Sequence, residues 1–182
     1  PTDMGVNRVG FGIVNEEAVR EAATQEVIRR VLRYRCEYMM GLTTRETVER
    51  VELIMNELGV QIEDRRVVRP ARDAAKRAES EKKGHEGVYC GNAIELKDGT
   101  IITGNNSSLM HAAASAVLNA TKHLAGIPDK IHLISPNIIE AIGNMKKDIK
   151  DGKSISLNLE EALIAVGASA PFNSAAQLAI EQ

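Results

Sequence analysis

From Asp98 to Gly126 the chain reads DGTIITGNNSSLMHAAASAVLNATKHLAG: a turn, a short β run, a glycine-polar loop and an alanine-rich helix. Thr103, Gly104, Asn105, Ser107 and Ser108 of this loop are residue types suited to holding a ligand. Gly104 permits a bend that a Cβ would resist. A serine caps the following helix, whose first free N–H groups, with the positive dipole end behind them, favour an anion or a carbonyl oxygen. His111, in the first turn, is the only candidate acid or base at this point, although a lone histidine is more often structural or solvated. The same composition also serves any plain strand-to-helix connection. Ligand loop and simple connector both remain open.

Three other constellations bear on chemistry. A hairpin followed by a helix that opens on histidine resembles the layout of zinc deaminases, whose pattern is H-x-E followed by P-C-x-x-C. Here the triplet is His111-Ala112-Ala113 and no cysteine pair follows, so zinc deamination is not expected and no metal site is assigned. Cys90 reads as a small buried residue. PTDMGVN, at the start of the chain, offers Asp3 and Asn7 around Gly5 as further ligand-facing groups. Arg65, Arg66, Arg69, Arg72, Lys76 and Arg77 form a basic stretch that reads either as a phosphate-binding face or as a solvated face paired with Asp73, Glu79 and Glu81.

The elements that must position these residues are legible from periodicity. Asn15 caps a helix running to about Met40, with Val19, Ala22, Ala23, Val27, Val31 and Tyr34 as its apolar stripe and Gly41 as its stop. Thr43 and Glu46 form a capping box for a second helix that ends at Gly59. Pro70 opens a third helix with little apolar surface, expected on the outside or against a partner. At Gly84 the pattern switches to a period of two around Asp98-Gly99, a hairpin signal. The alanine-rich helix follows, with Leu109, Ala113, Ala116, Val117, Ala120 and Leu124 inward and Ser115, Asn119, Lys122 and His123 outward. Lys130 to Ser135 reads as a buried strand. Pro136, Asn158 and Asn173 each start a further helix. The fold class is therefore α+β, with a helical subdomain over residues 1–83 and a layered α/β subdomain over residues 84–182.

Composition narrows the partners. The chain has 182 residues, 43% of them apolar but only 3% aromatic, and a net charge of −2. There is no global drive toward nucleic acid or an anionic membrane, and the basic stretch lacks the interleaved aromatics that stack single-stranded bases. Two cysteines far apart, with no signal peptide and no transmembrane run, fit a cytoplasmic setting.

The segments PTDMGVN, EEAVREAATQEVIRR, PARDAA, AIELKDGTIITG, LNATKHLAGIPD, LISPNIIEAI, LNLEEALIAVGASA and NSAAQLAIE occur in that order. Together they resemble the domain of unknown function (DUF) 1846 family, also called uncharacterised protein family 0371, over essentially the whole chain. The family's proteins are much longer, so the chain resembles their C-terminal half and reads as a piece of a longer protein. The resemblance implies a helical subdomain followed by one of cytidine-deaminase-like topology, with no established reaction or cofactor. The family pattern has a lysine after the Thr-Gly of the loop. Asn105 stands there instead and weakens the case for phosphate at that position.

Two functions remain open at this point. In one, the chain is part of an enzyme that binds a small polar or phosphorylated metabolite against a missing N-terminal domain, with the TGNNSS loop, His111, Asp3 and Asn7 lining the cleft. In the other, it is a structural module that supports that domain and forms a homo-oligomer. The cofactor is unknown in both.

Overall fold

The computed structural model describes residues 15–150 and 155–182. Asp3 and Asn7, with the rest of PTDMGVN, lie outside the described residues. By compactness the chain forms two units, the first ending at Arg65 and the second running Arg66–Gln182.

In the first unit, the Asn15 side chain accepts from the Ala18 N–H at 2.9 Å and starts α1 (Glu16–Met39). The helix stops where expected. Gly41 takes φ +73°, and Leu42 N–H reaches back to the Glu37 carbonyl at 2.8 Å. The next helix, α2 (Arg45–Glu57), is capped by Thr44, not Thr43. The expected Thr43–Glu46 box does not form, because the register is one residue later and Glu46 pairs with Arg50. Ile28 and Val31 of α1 and Val48 and Met55 of α2 are the buried positions of the helix pair, and Arg35–Glu52 ties the two helices at 2.7 Å. The expected stripe is only partly buried: Val19, Ala22 and Ala23 face solvent.

The second unit begins with α3 (Val68–Ser80). Pro70 sits in its first turn, where a missing N–H costs no helical bond. This helix is not the bare outer element that its composition suggests. Ala74 and Ala78 are buried, and the helix packs on the hairpin formed by β1 (Gly91–Glu95) and β2 (Ile101–Asn105). The change of pattern at Gly84 therefore lies inside the second unit. The strands pair antiparallel, with Ala93 opposite Thr103, and Gly99 takes φ +85° in the connecting turn. Asp98 accepts the Thr100 N–H there, which holds its carboxyl below the usual range.

Helix α4 (Ala112–Leu124) covers the other face of the hairpin. The two contacts are close enough to require glycine. A Cβ at Gly91 would collide with the Ala71 carbonyl, and one at Gly104 with the backbone of Ala116. A second layer lies beyond α4. Ala114 and Leu118 join Ile139 of α5 (Pro136–Lys150), Ala165 of α6 (Leu159–Ser169) and Ala176 of α7 (Ser174–Ile180) in one apolar cluster. Helix α4 is thus buried on two sides. The single inward face expected for it is a misreading: Leu109 and Leu124 are exposed, while Lys122 is buried.

The described residues hold one sheet, of two strands. Lys130 to Ser135 is irregular rather than a third strand, although Leu133 and Ile134 are buried as expected. The Asn173 side chain takes the carbonyls of His132 and Leu133, at 2.9 and 3.2 Å, which a sheet partner would otherwise use. Asn158 and Asn173 cap α6 and α7 as their positions predict. The architecture is α+β.

Candidate functional site

The TGNNSS loop is largely occupied by its own structure. Asn106, not among the residues expected to hold a ligand, is its buried centre. Its Oδ1 accepts from Cys90 N–H at 2.8 Å and its Nδ2 donates to the Val88 carbonyl at 2.9 Å. Asn105 Nδ2 donates to the Asn106 carbonyl. Ser107 Oγ accepts from the N–H groups of Leu109 and Met110, and the Ser107 carbonyl accepts from Ser156 Oγ. Ser108 is exposed. Cys90, expected to be buried, is also exposed, because the residue is held through its backbone while its side chain packs against little.

His111 occupies the cap position of α4 without a side-chain capping bond, and its backbone N–H donates to the Leu157 carbonyl at 2.8 Å. Beyond it lies a polar knot. Lys146 Nζ donates to Glu161 Oε2 and to the Ser156 carbonyl, both at 2.7 Å, and Glu161 also closes the Asn158 capping box. Burial pushes the Glu161 carboxyl up. Lys146, the Asn158 N–H and nearby His111 outweigh that and leave it below its ordinary value of 4.5.

A concavity lies at the opposite end of α4. Eleven residues separate His111 from Lys122, about 16 Å at 1.5 Å per residue. This chamber is open to solvent and spans about 750 Å³, and its polar lining is Thr103, Asn119, Lys122, His123 and Asp129. Its shape follows from the end of the helix. Gly126 takes φ +64° and Ile127 N–H reaches back to the Lys122 carbonyl at 2.8 Å, closing the helix. Ile127 is buried, and Pro128-Asp129 then turns back over the last turn. Asn119 Nδ2 donates to the Thr103 carbonyl at 2.9 Å, and Arg77 Nη2 donates to Thr103 Oγ1 at 3.3 Å.

Lys122 is the unusual member, being only 8% exposed. Its ammonium has one hydrogen-bond acceptor, the Asp129 backbone carbonyl at 2.6 Å, and among the described residues no carboxylate forms an ion pair with it. A lysine buried this far without a carboxylate partner is rare, and the helix C-terminus favours such a cation by only about 0.3–1 kcal/mol. Of the residues expected to form a site, the structure brings Thr103 to this chamber. Gly104 packs against Ala116 of α4, Asn105 and Ser107 bond within the loop, Ser108 is exposed and His111 stands at the start of α4. The arginine stretch reaches Thr103 through Arg77, while Arg66 is paired with Glu95 and Lys76 with Asp73. Lys122 and Asn119 were missed as site residues because their three-residue spacing on a polar face reads as solvation. The signal that could have found them was the AGIPD segment, a helix stop that folds back over the last turn.

The family model described as Domain of unknown function DUF1846, C-terminal, matches residues 63–182. The model described as Domain of unknown function DUF1846, N-terminal, matches residues 1–59. A UPF0371 protein of Clostridium botulinum (strain Langeland) is 50% identical over 181 residues, covering 99% of this chain and 36% of the relative. A UPF0371 protein of Clostridium tetani is 47% identical over 182 residues, covering 100% of this chain and again 36% of the relative. The chain thus spans about a third of the length of these relatives.

Proposed function

The chain belongs to the domain of unknown function DUF1846 family, also named UPF0371, and on that premise we propose that its second unit binds a small anionic metabolite, such as a phosphorylated one, in the chamber at Lys122. The observation that carries this reading is Lys122, a buried residue at the chamber wall whose ammonium has a single backbone acceptor and no carboxylate partner among the described residues. An anion entering the chamber supplies the missing charge. Asn119 and His123 line the same space and offer hydrogen bonds to the rest of a polar ligand. The cytidine-deaminase-like layout implied by the family resemblance belongs to this proposal. It is supported by the order hairpin then α4, and it puts His111 at the far end of that helix, out of reach of a ligand on Lys122. The test is thermal shift of the intact protein with inorganic phosphate and sugar phosphates. Stabilisation that grows with concentration and disappears in Lys122→Met is the expected result; an equal response in that variant sinks the assignment.

A second reading, an assembly module, is favoured by one observation in the first unit. Met39, Leu42, Leu53 and Ile54 are large apolar side chains that are all exposed. This supports a homo-oligomeric interface, or a seat for the rest of an N-terminal domain, on α1 and α2. Val31 of α1 is fully buried within the unit and takes no part in that surface. Leu53→Lys with Ile54→Lys tests it, and an unchanged mass in light scattering argues against self-assembly through this face.

A further inference from the structure

A second cavity adjoins the chamber and shares three of its lining residues, Asn119, Lys122 and Asp129. Its volume is about 230 Å³. The remainder of its wall is mainly apolar, built from Leu118, Leu133, Ile134 and Ile139, with Leu109 and Ile131 standing exposed at 48% and 40%. A space of about 150 Å³ already accommodates a benzene ring, so this cleft has room for a group of that size. Lys122 thus lies where a polar chamber and an apolar cleft meet.

We infer that the ligand is a small amphiphilic anion, with a phosphate or carboxylate head on Lys122 and a compact apolar group of benzene size in the cleft. This inference rests on the proposed anion site and adds the chemistry of the ligand's other end. A purely polar metabolite, such as a sugar phosphate without an apolar substituent, leaves the cleft empty. An apolar tail excludes water from it and leaves the Lys122 ammonium facing its anion in a drier setting, where the attraction is stronger. The exposed Leu109 and Ile131 are side chains that such a tail would cover.

The test compares matched pairs of probes on the intact protein by calorimetric titration: phenyl phosphate against inorganic phosphate, and phenylacetate against acetate. At least one pair is expected to show the aromatic member binding about tenfold tighter or better, the increment a hydrophobic pocket gives for a small apolar group. Whichever pair shows it identifies the head. Ile131→Asn, a neutral change at a 40% exposed position, is expected to reduce the gain while leaving inorganic phosphate binding unchanged. If phosphate binds through Lys122 but neither aromatic probe binds more tightly, the amphiphilic ligand is refuted and the anion site stands. A gain that survives Ile131→Asn undiminished puts the aromatic group elsewhere and also overturns the inference. If no anion binds, or if binding is indifferent to Lys122→Met in a variant whose melting curve remains cooperative, the anion site itself fails and the inference fails with it.

Discussion

Lys122 Nζ is held at 2.6 Å by the backbone carbonyl of Asp129, seven residues further along the chain, and not by the Asp129 carboxylate. Because the acceptor is main chain, Asp129→Ala keeps the bond, and its stability in urea denaturation is expected within about 0.5 kcal/mol of the parent. Lys122→Met removes the charge and keeps the bulk of the buried stem. Its cost is expected to stay under about 2 kcal/mol, the lost hydrogen bond being offset by the charge no longer desolvated. A much larger loss would mean that the ammonium is a keystone of the fold rather than a waiting ligand group.

The hairpin between α3 and α4 depends on two missing side chains. Gly104→Ala puts a methyl into the backbone of Ala116, and Gly91→Ala puts one into the backbone at Ala71 and Ala75. Backbone cannot yield as a side-chain tip does, so each is expected to cost about 3 kcal/mol or more. Gly167→Ala is the control. It lies within α6 with nothing within 4 Å of the added methyl. It is expected to stabilise by about 0.5–1 kcal/mol, the ordinary gain of alanine over glycine in a helix. Thermal melts of the three variants check the order.

The two neighbouring asparagines of the loop are expected to differ sharply. Asn106→Ala leaves the Cys90 N–H without its acceptor and takes one of two donors from the Val88 carbonyl, which keeps the His85 N–H, a loss of about 2 kcal/mol. Asn105→Ala gives up one bond to an adjacent carbonyl and is expected to cost under about 1 kcal/mol. Chemical denaturation of both variants measures the contrast. Equal losses would contradict the view that Asn106 is the structural centre of the loop.

Glu161 gives the second unit a contribution to stability with a defined pH sign. Its carboxyl titrates below the ordinary 4.5 in the folded protein. The contribution is therefore fully present above that value and is lost as pH falls through the folded value. The stability difference between the parent and Glu161→Gln is expected to shrink from pH 7 to pH 3, measured by urea midpoints. A difference that holds constant or grows on acidification reverses the sign and removes the Lys146–Glu161 pair as its source.

Much of the fold was legible because it is written in local chemistry. Asn15, Gly41, Asn158 and Asn173 mark helix ends by capping, and Asp98-Gly99 marks the hairpin by turn geometry. What was not legible depends on distant partners. Lys130 to Ser135 has the residues of a buried strand and lacks only a neighbour, since Asn173 occupies its carbonyls. Thr43 and Thr44 are equivalent as caps until the register of α2 is fixed. The candidate site fared worse for the same reason. Gly104 and Asn105 look like ligand loop because glycine and asparagine serve both close packing and binding. Lys122 looks solvated because it shares a polar helix face with Asn119 and His123, and the one local cue against that, the Ala125–Asp129 stop, says that the helix ends without saying that the chain then covers Lys122.

The pairing of β1 with β2 also leaves a strand edge. Leu96 with Thr100 and Cys90 with Asn106 are bonded across the ladder. The alternation of an antiparallel pair then turns the Thr103 carbonyl away from β1, toward the margin of β2 that no strand pairs among the described residues. Such a margin is a template on which another chain can add a strand. Asn119 fills the slot at Thr103 with its own side chain. A residue that a ligand search would value for reaching into the chamber is also a guard against edge-to-edge aggregation, and changes made there to alter binding carry a solubility consequence with them.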